Sequence, residues 1–190
     1  MQKERFFLFP TSKSHKKAAT MTELPSQPEA LFFNIASRLS EQATRTPFRR
    51  AVVASVGKGL SGLTAYTHLT FQQLDRASDC LAKSFTSIGI KEGARTVLMM
   101  PPSIDFFIVT FALFKAGAVP VVVDPGMGVE RMVECLKHSS PIAFIGIPKA
   151  HLMRKIYPAY FKSVKIYVTI GKRWAWGGYT LDQLKARDWG

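Results

Sequence analysis

The chain has 190 residues, 47% of them hydrophobic and 12% aromatic, which is enough apolar mass for one core and too much for a disordered polymer. Its formal net charge of +13 is unevenly placed: residues 1–20 carry +4, residues 149–190 carry +7, and the stretch between is nearly neutral. The basic ends come without a helix-turn-helix, zinc or RNA-binding signature, so no nucleic-acid partner is expected; two cysteines, Cys80 and Cys135, make no disulfide framework and suit a reducing cytoplasm.

The start, "MQKERFFLFPTSKSHKK", holds an apolar run of four residues before Pro10, whereas a secretory signal needs about 7–15. Residues 1–29 are expected to be a disordered basic tail, with Met21 a natural first residue. From residue 30 the pattern becomes regular. "ALFFNIASRLSEQAT" (30–44) puts Leu31, Phe32, Ile35 and Leu39 on one helical face, and Pro47 closes it. "AVVASV" (51–56) reads as a buried strand, "GKGLSG" as a turn and "LTAYTHL" (63–69) as a second strand, together a hairpin.

Thr70 followed by Gln73 makes a capping box for a helix carrying Leu74, Ala77, Leu81, Phe85 and Ile88, with Gly89 as its stop. Strand "TVLMM" (96–100) halts at Pro101-Pro102. Ser103 caps the next helix, with Asp105 in its electropositive first turn. The apolar run Ile104–Val123 would tempt a hydropathy scan, but Lys115 lies inside it and Gly117 and Pro120 interrupt it. Two short buried elements, a helix and the central strand "AVPVVV", explain it better than a membrane span.

The alternation continues with helix 129–138, strand 142–147, helix 150–157, strand 164–170 and a last helical turn at "TLDQLKA". Strands alternating with helices of these lengths predict an α/β fold, a mostly parallel sheet with helices on both faces.

Chemistry-bearing groups are sparse. The loop Asp124-Pro-Gly-Met-Gly128 precedes a helix and so offers free amides, yet it holds no Lys, Ser or Thr for a phosphate or Mg²⁺, and Asp124 would repel one. It reads as a βα turn. Cys135 and His138 stand three apart with no second pair to complete a metal site. His68 reads as half-buried or surface. Trp174, Trp176 and Tyr179, beside Lys172 and Arg173, could stack on bases, although an aromatic hairpin or packing against a neighbouring domain explains them as well. No catalytic, cofactor-binding or metal residue is assigned.

Several segments in order carry a resemblance. Leu69-Thr70-Phe71-Gln72-Gln73-Leu74 matches an "L-T/S-Y/F-x-x-L" entry into a helix, and Gly89 to Val97 a "G-V/I-x-x-G-D-x-V" turn in which Ala94 departs from the pattern. Pro101 to Phe106 matches "P-x-S-x-x-F", and Lys115 to Pro125 is close to "K-A-G-A-x-x-V-P-x-x-P". The chain thus resembles, over roughly residues 30–170, the N-terminal part of the adenylate-forming (AMP-binding) superfamily of acyl-CoA synthetases, fatty-acyl-AMP ligases and peptide-synthetase adenylation domains. "DPGMG", Cys135-Leu136 and "GKRWAWGGYTL" look most like the branch with the β-lactone synthetases of olefin biosynthesis.

The resemblance implies a parent activity, ATP- and Mg²⁺-dependent adenylation of a fatty or β-hydroxy acid. It also implies that residues 30–190 are part of the ligase's N-terminal subdomain. The family's Ser/Thr/Gly-rich loop, ribose-binding Asp and C-terminal Lys do not occur in the sequence to Gly190. The expectation is therefore a truncated, cytoplasmic portion, inactive alone and without cofactor of its own, that pairs with a chain carrying the missing subdomains. A stand-alone binding module and a small membrane-associated protein are the alternatives.

Overall fold

The computed structural model describes residues 34–58 and 62–187. The expected tail over 1–29, the start at Met21, the helix positions Leu31 and Phe32, and residues 59–61 of the hairpin turn lie outside them.

Local rules built the strongest elements. Helix α2 (Phe71–Ser87) begins at Thr70 with both capping-box bonds: the Gln73 amide donates to the Thr70 hydroxyl at 3.2 Å, and the Thr70 amide to the Gln73 side chain at 2.9 Å. These bonds satisfy two amides that a helix start otherwise leaves open. Leu74, Leu81 and Phe85 then fall on one buried face, each stabilising the fold by about 1.5–3 kcal/mol. Gly89 ends the helix at φ +97°, a conformation a side chain would strain. Helix α3 (Ile104–Lys115) starts the same way, the Phe106 amide donating to the Ser103 hydroxyl at 3.2 Å.

The apolar run Ile104–Val123 is split by a turn at Gly117 (φ +69°) into α3 and a strand, and among the described residues no helix is long and apolar enough to cross a membrane. Lys115, the charge within that run, is nearly buried and accounted for. Its ammonium donates at 2.7 Å to both Asp75 and Asp79 of α2, which locks the two helices together.

Five parallel strands form the sheet: β3 (Arg95–Met99), β4 (Val119–Val122), β5 (Ala143–Gly146), β6 (Ile166–Thr169) and β7 (Tyr179–Thr180), in the order 4-3-5-6-7. Side chains alternate along each strand. Leu98, Ile145 and Val168 therefore pack under α2, α3 and α6 (Leu181–Lys185), whereas Val97, Met99 and Phe144 pack under α4 (Val129–Ser139) and α5 (Pro148–Ile156). The expected α/β fold with helices on both faces is present.

Three local readings are corrected. "AVPVVV" is not central: β4 pairs only with β3 among the described strands and closes that side of the sheet, leaving Val119 and Val122 exposed. Proline, which lacks an amide hydrogen, is tolerated at an edge. "AVVASV" is not a buried strand either. It belongs to β1 (Arg50–Lys58), which pairs antiparallel with β2 (Thr64–Thr70) as a separate two-stranded ribbon. Only Val52 of β1 is buried, because one face of the ribbon rests on the helices and the other faces outward. Finally, α1 runs from Ala36 to Arg45 and leaves Ile35, its cap position, exposed.

Candidate functional site

The chain leaves β3 toward β4 on one side and returns past it to β5 on the other, so the strand order reverses between β3 and β5. In open parallel sheets ligands sit outside the carboxyl ends of the strands at such a reversal. The residues present there follow from the connections. Loop 124–128 ends β4 and opens α4, and Ile147-Pro148 ends β5 and opens α5, so both helix starts converge above β3 and β5.

A recess of about 270 Å³ lies there, lined by Met99, Gly128, Val129, Met132, Ile147, Lys149, Ala150 and Met153. Three thioethers and three aliphatic side chains make its wall adaptable and apolar, and Lys149 is its one charged lining residue. Apart from the Lys149 amine, the described lining supplies no carboxylate, thiol or imidazole, a wall suited to an apolar group.

The loop that leads into this recess is self-satisfied. Asp124 accepts the Gly126 amide at 2.8 Å and the Met127 amide bonds back to the Asp124 carbonyl at 3.1 Å, closing a single 3₁₀ turn over Pro125–Met127. A phosphate would find the Gly126 donor taken and a carboxylate in its place. Gly128, at φ +85°, aims the chain into α4.

The other sequence candidates fall elsewhere. Cys135 and His138 lie on α4, where the His138 ring bonds the Glu134 carbonyl at 2.9 Å; among the described residues no group of three or more His, Cys, Asp or Glu could hold a metal. His68 is exposed on the ribbon. The tryptophans form no hairpin. Trp176 is buried, stacked on His151 with ring centroids 5.5 Å apart, and donates its indole N–H to Thr169 at 3.0 Å; Trp174 is exposed.

His151 is the residue that sequence reasoning missed. It is fully buried in α5, its Nε2 lies 3.1 Å from the Val168 carbonyl, and its Nδ1 has no hydrogen-bond partner. Since a carbonyl only accepts, Nε2 carries the proton and Nδ1 is left an idle acceptor. Burial pushes its pKa down to about 4, the Val168 bond opposing this and the Arg154 charge adding to it. A signal was available: Ile147, Ala150, His151 and Arg154 recur at i, i+3, i+4 and i+7, the spacing of an inward helix face.

A family profile described as AMP-binding enzyme matches residues 39–174. The chain belongs to the AMP-binding enzyme family. Within this family it is 42% identical over 153 residues to an olefin beta-lactone synthetase of Xanthomonas campestris and 44% identical over 154 residues to one of Stenotrophomonas maltophilia; each match covers 80% of this chain. It spans only 27% and 28% of the length of these relatives.

In fold it is similar to a coronafacic acid ligase of Pectobacterium brasiliense (TM-score 0.66, 19% identity, 80% of this chain and 29% of that one). It is equally similar to a long-chain-fatty-acid-CoA ligase of Archaeoglobus fulgidus (TM-score 0.67, 18% identity, 80% and 29%). The AMP-binding family implies ATP and Mg²⁺ for the parent enzyme. The described residues do not fit them: the loop turns its own carboxylate onto its free amide, and the recess offers thioethers where Mg²⁺ requires oxygen.

Proposed function

We propose that the chain is the N-terminal scaffold portion of an AMP-forming acyl-activating ligase of the cytoplasm, inactive alone, in which residues 30–190 form part of the N-terminal subdomain and residues 1–29 a basic tail. The observation that carries this is the identity of 42–44% over 80% of the chain to two olefin beta-lactone synthetases. In the parent enzyme a carboxylate attacks the α-phosphate of ATP, an acyl–phosphate bond forms and pyrophosphate leaves. On a β-hydroxy acid the hydroxyl oxygen then attacks the acyl carbon, the hydroxyl proton is lost, the acyl–phosphate bond breaks and AMP departs, closing a four-membered ring. The donors and cations that balance charge in these steps would come from regions of the ligase other than these 190 residues.

The test is ATP–pyrophosphate exchange. The purified chain should show none, and exchange by the chain alone would overturn its inactivity. A chimera in which this chain replaces the matching region of the Xanthomonas relative should exchange in the presence of a β-hydroxy fatty acid. A folded chimera inert toward every fatty and β-hydroxy acid would sink the scaffold reading.

A further inference from the structure

Below the sheet, at the amino ends of β6 and β7, lies a second and larger depression of about 790 Å³, walled by α5, the turn Pro158–Phe161 and the Gly177-Gly178-Tyr179 segment. Arg154, Lys155 and Lys165 line it, and among the described residues no Asp or Glu does. None of the ion pairs found among the described residues involves these three cations.

Arg154 is held in place rather than neutralised, its guanidinium resting 4.0 Å from the centre of the Tyr167 ring and hydrogen-bonded to the Tyr167 side chain. The opposite wall is backbone brought in close. A Cβ on Gly178 would stand 2.5 Å from the Tyr167 carbonyl, so only glycine fits, and Arg173 bonds the Gly178 carbonyl from outside. Ile88, Ile166 and Phe161 floor the groove with apolar surface.

We propose that this groove is a binding site for a phosphorylated ligand, a small-molecule phosphate ester or pyrophosphate bearing two or more negative charges. Three cations in one concavity, with no ion pair among the described residues, focus a positive field that a monocarboxylate would only partly neutralise. An oriented guanidinium matches phosphate oxygens in pairs. The volume falls within the range of small-molecule pockets, roughly 300–1,000 Å³. The groove lies at the opposite end of the strands from the recess at the strand-order reversal, so it stands or falls independently of the ligase reading.

The probe is inorganic pyrophosphate, titrated into the full chain at constant ionic strength and followed by amide chemical shifts. Saturable shifts at Gly177, Gly178 and Tyr179 are expected. Lys155→Glu with Lys165→Glu should weaken binding roughly tenfold or more, since two charge-assisted contacts are lost. Both residues are exposed, so the thermal midpoint should hold; Lys172→Glu, outside the groove, should change affinity little. Shifts spread evenly over the basic surface, or equal loss in the double variant and in Lys172→Glu, would overturn the site.

Vesicles of phosphatidylcholine with and without phosphatidic acid separate the sources. Sedimentation with the acidic vesicles that pyrophosphate reverses identifies a lipid headgroup, and pyrophosphate binding without sedimentation identifies a free phosphate. Binding of a single-stranded oligonucleotide that pyrophosphate does not displace would replace the proposal by a nucleic-acid surface.

Discussion

His151 sits where an imidazole must stay neutral, packed between Phe144 and Trp176 with its Nδ1 unpaired. Its folded pKa of about 4 lies below the ordinary 6.5. Between those values the unfolded chain takes up a proton that the folded chain refuses. Its contribution is therefore complete above about pH 6.5 and falls progressively as pH drops toward 4, by about 3 kcal/mol in all. His151→Gln should flatten the fall in thermal midpoint across that window relative to the unaltered chain. Parallel pH profiles for the two proteins would show that His151 titrates normally. None of this can be read from one histidine in "AHLMRKIY": the helical spacing marks it as inward, but the low pKa comes from residues up to 25 positions away, which only the fold brings together.

At the scale of elements, the capping signals were legible because a cap is a bond between neighbours in sequence. Thr70 and Gln73, and Ser103 before α3, form the expected bonds. Thr70→Ala should lower stability by about 1 kcal/mol, measured by denaturant unfolding. A change near zero would mean that the burial of Leu74, Leu81 and Phe85 alone fixes the start of α2.

What local rules could not supply was rank within the sheet. "AVPVVV" reads the same whether central or at an edge, because its place depends on which distant strand pairs with it. β7 was missed because two residues, Tyr179 and Thr180, make no periodic pattern. The turn at 124–128, by contrast, was legible in its residues, and in the structure the Asp124 carboxylate accepts the Gly126 amide.

For the whole molecule the telling feature is the ribbon of β1 and β2. Val53, Val56 and Tyr66 are all more than half exposed on it, three large apolar side chains on one small ribbon. The relatives are over three times as long as the matched region, so they possess chain with which to cover an equivalent face. The purified protein should bind a hydrophobic dye and associate with rising concentration in sedimentation velocity, and Val53→Lys with Tyr66→Lys should reduce both. A monodisperse monomer that unfolds in one cooperative step without dye binding would contradict the view that this face normally meets another polypeptide.

The β4 edge of the five-stranded sheet behaves differently. The amides of Val119 and Val123 point inward, to the carbonyls of Ala94 and Leu98, and amides alternate sides along a strand. Positions 120 and 122 therefore face out, and at 120 there is no hydrogen to offer. Val122 alone in β4 can donate to a newcomer. Proline at that position makes the rim of the sheet a poor template for fibril growth.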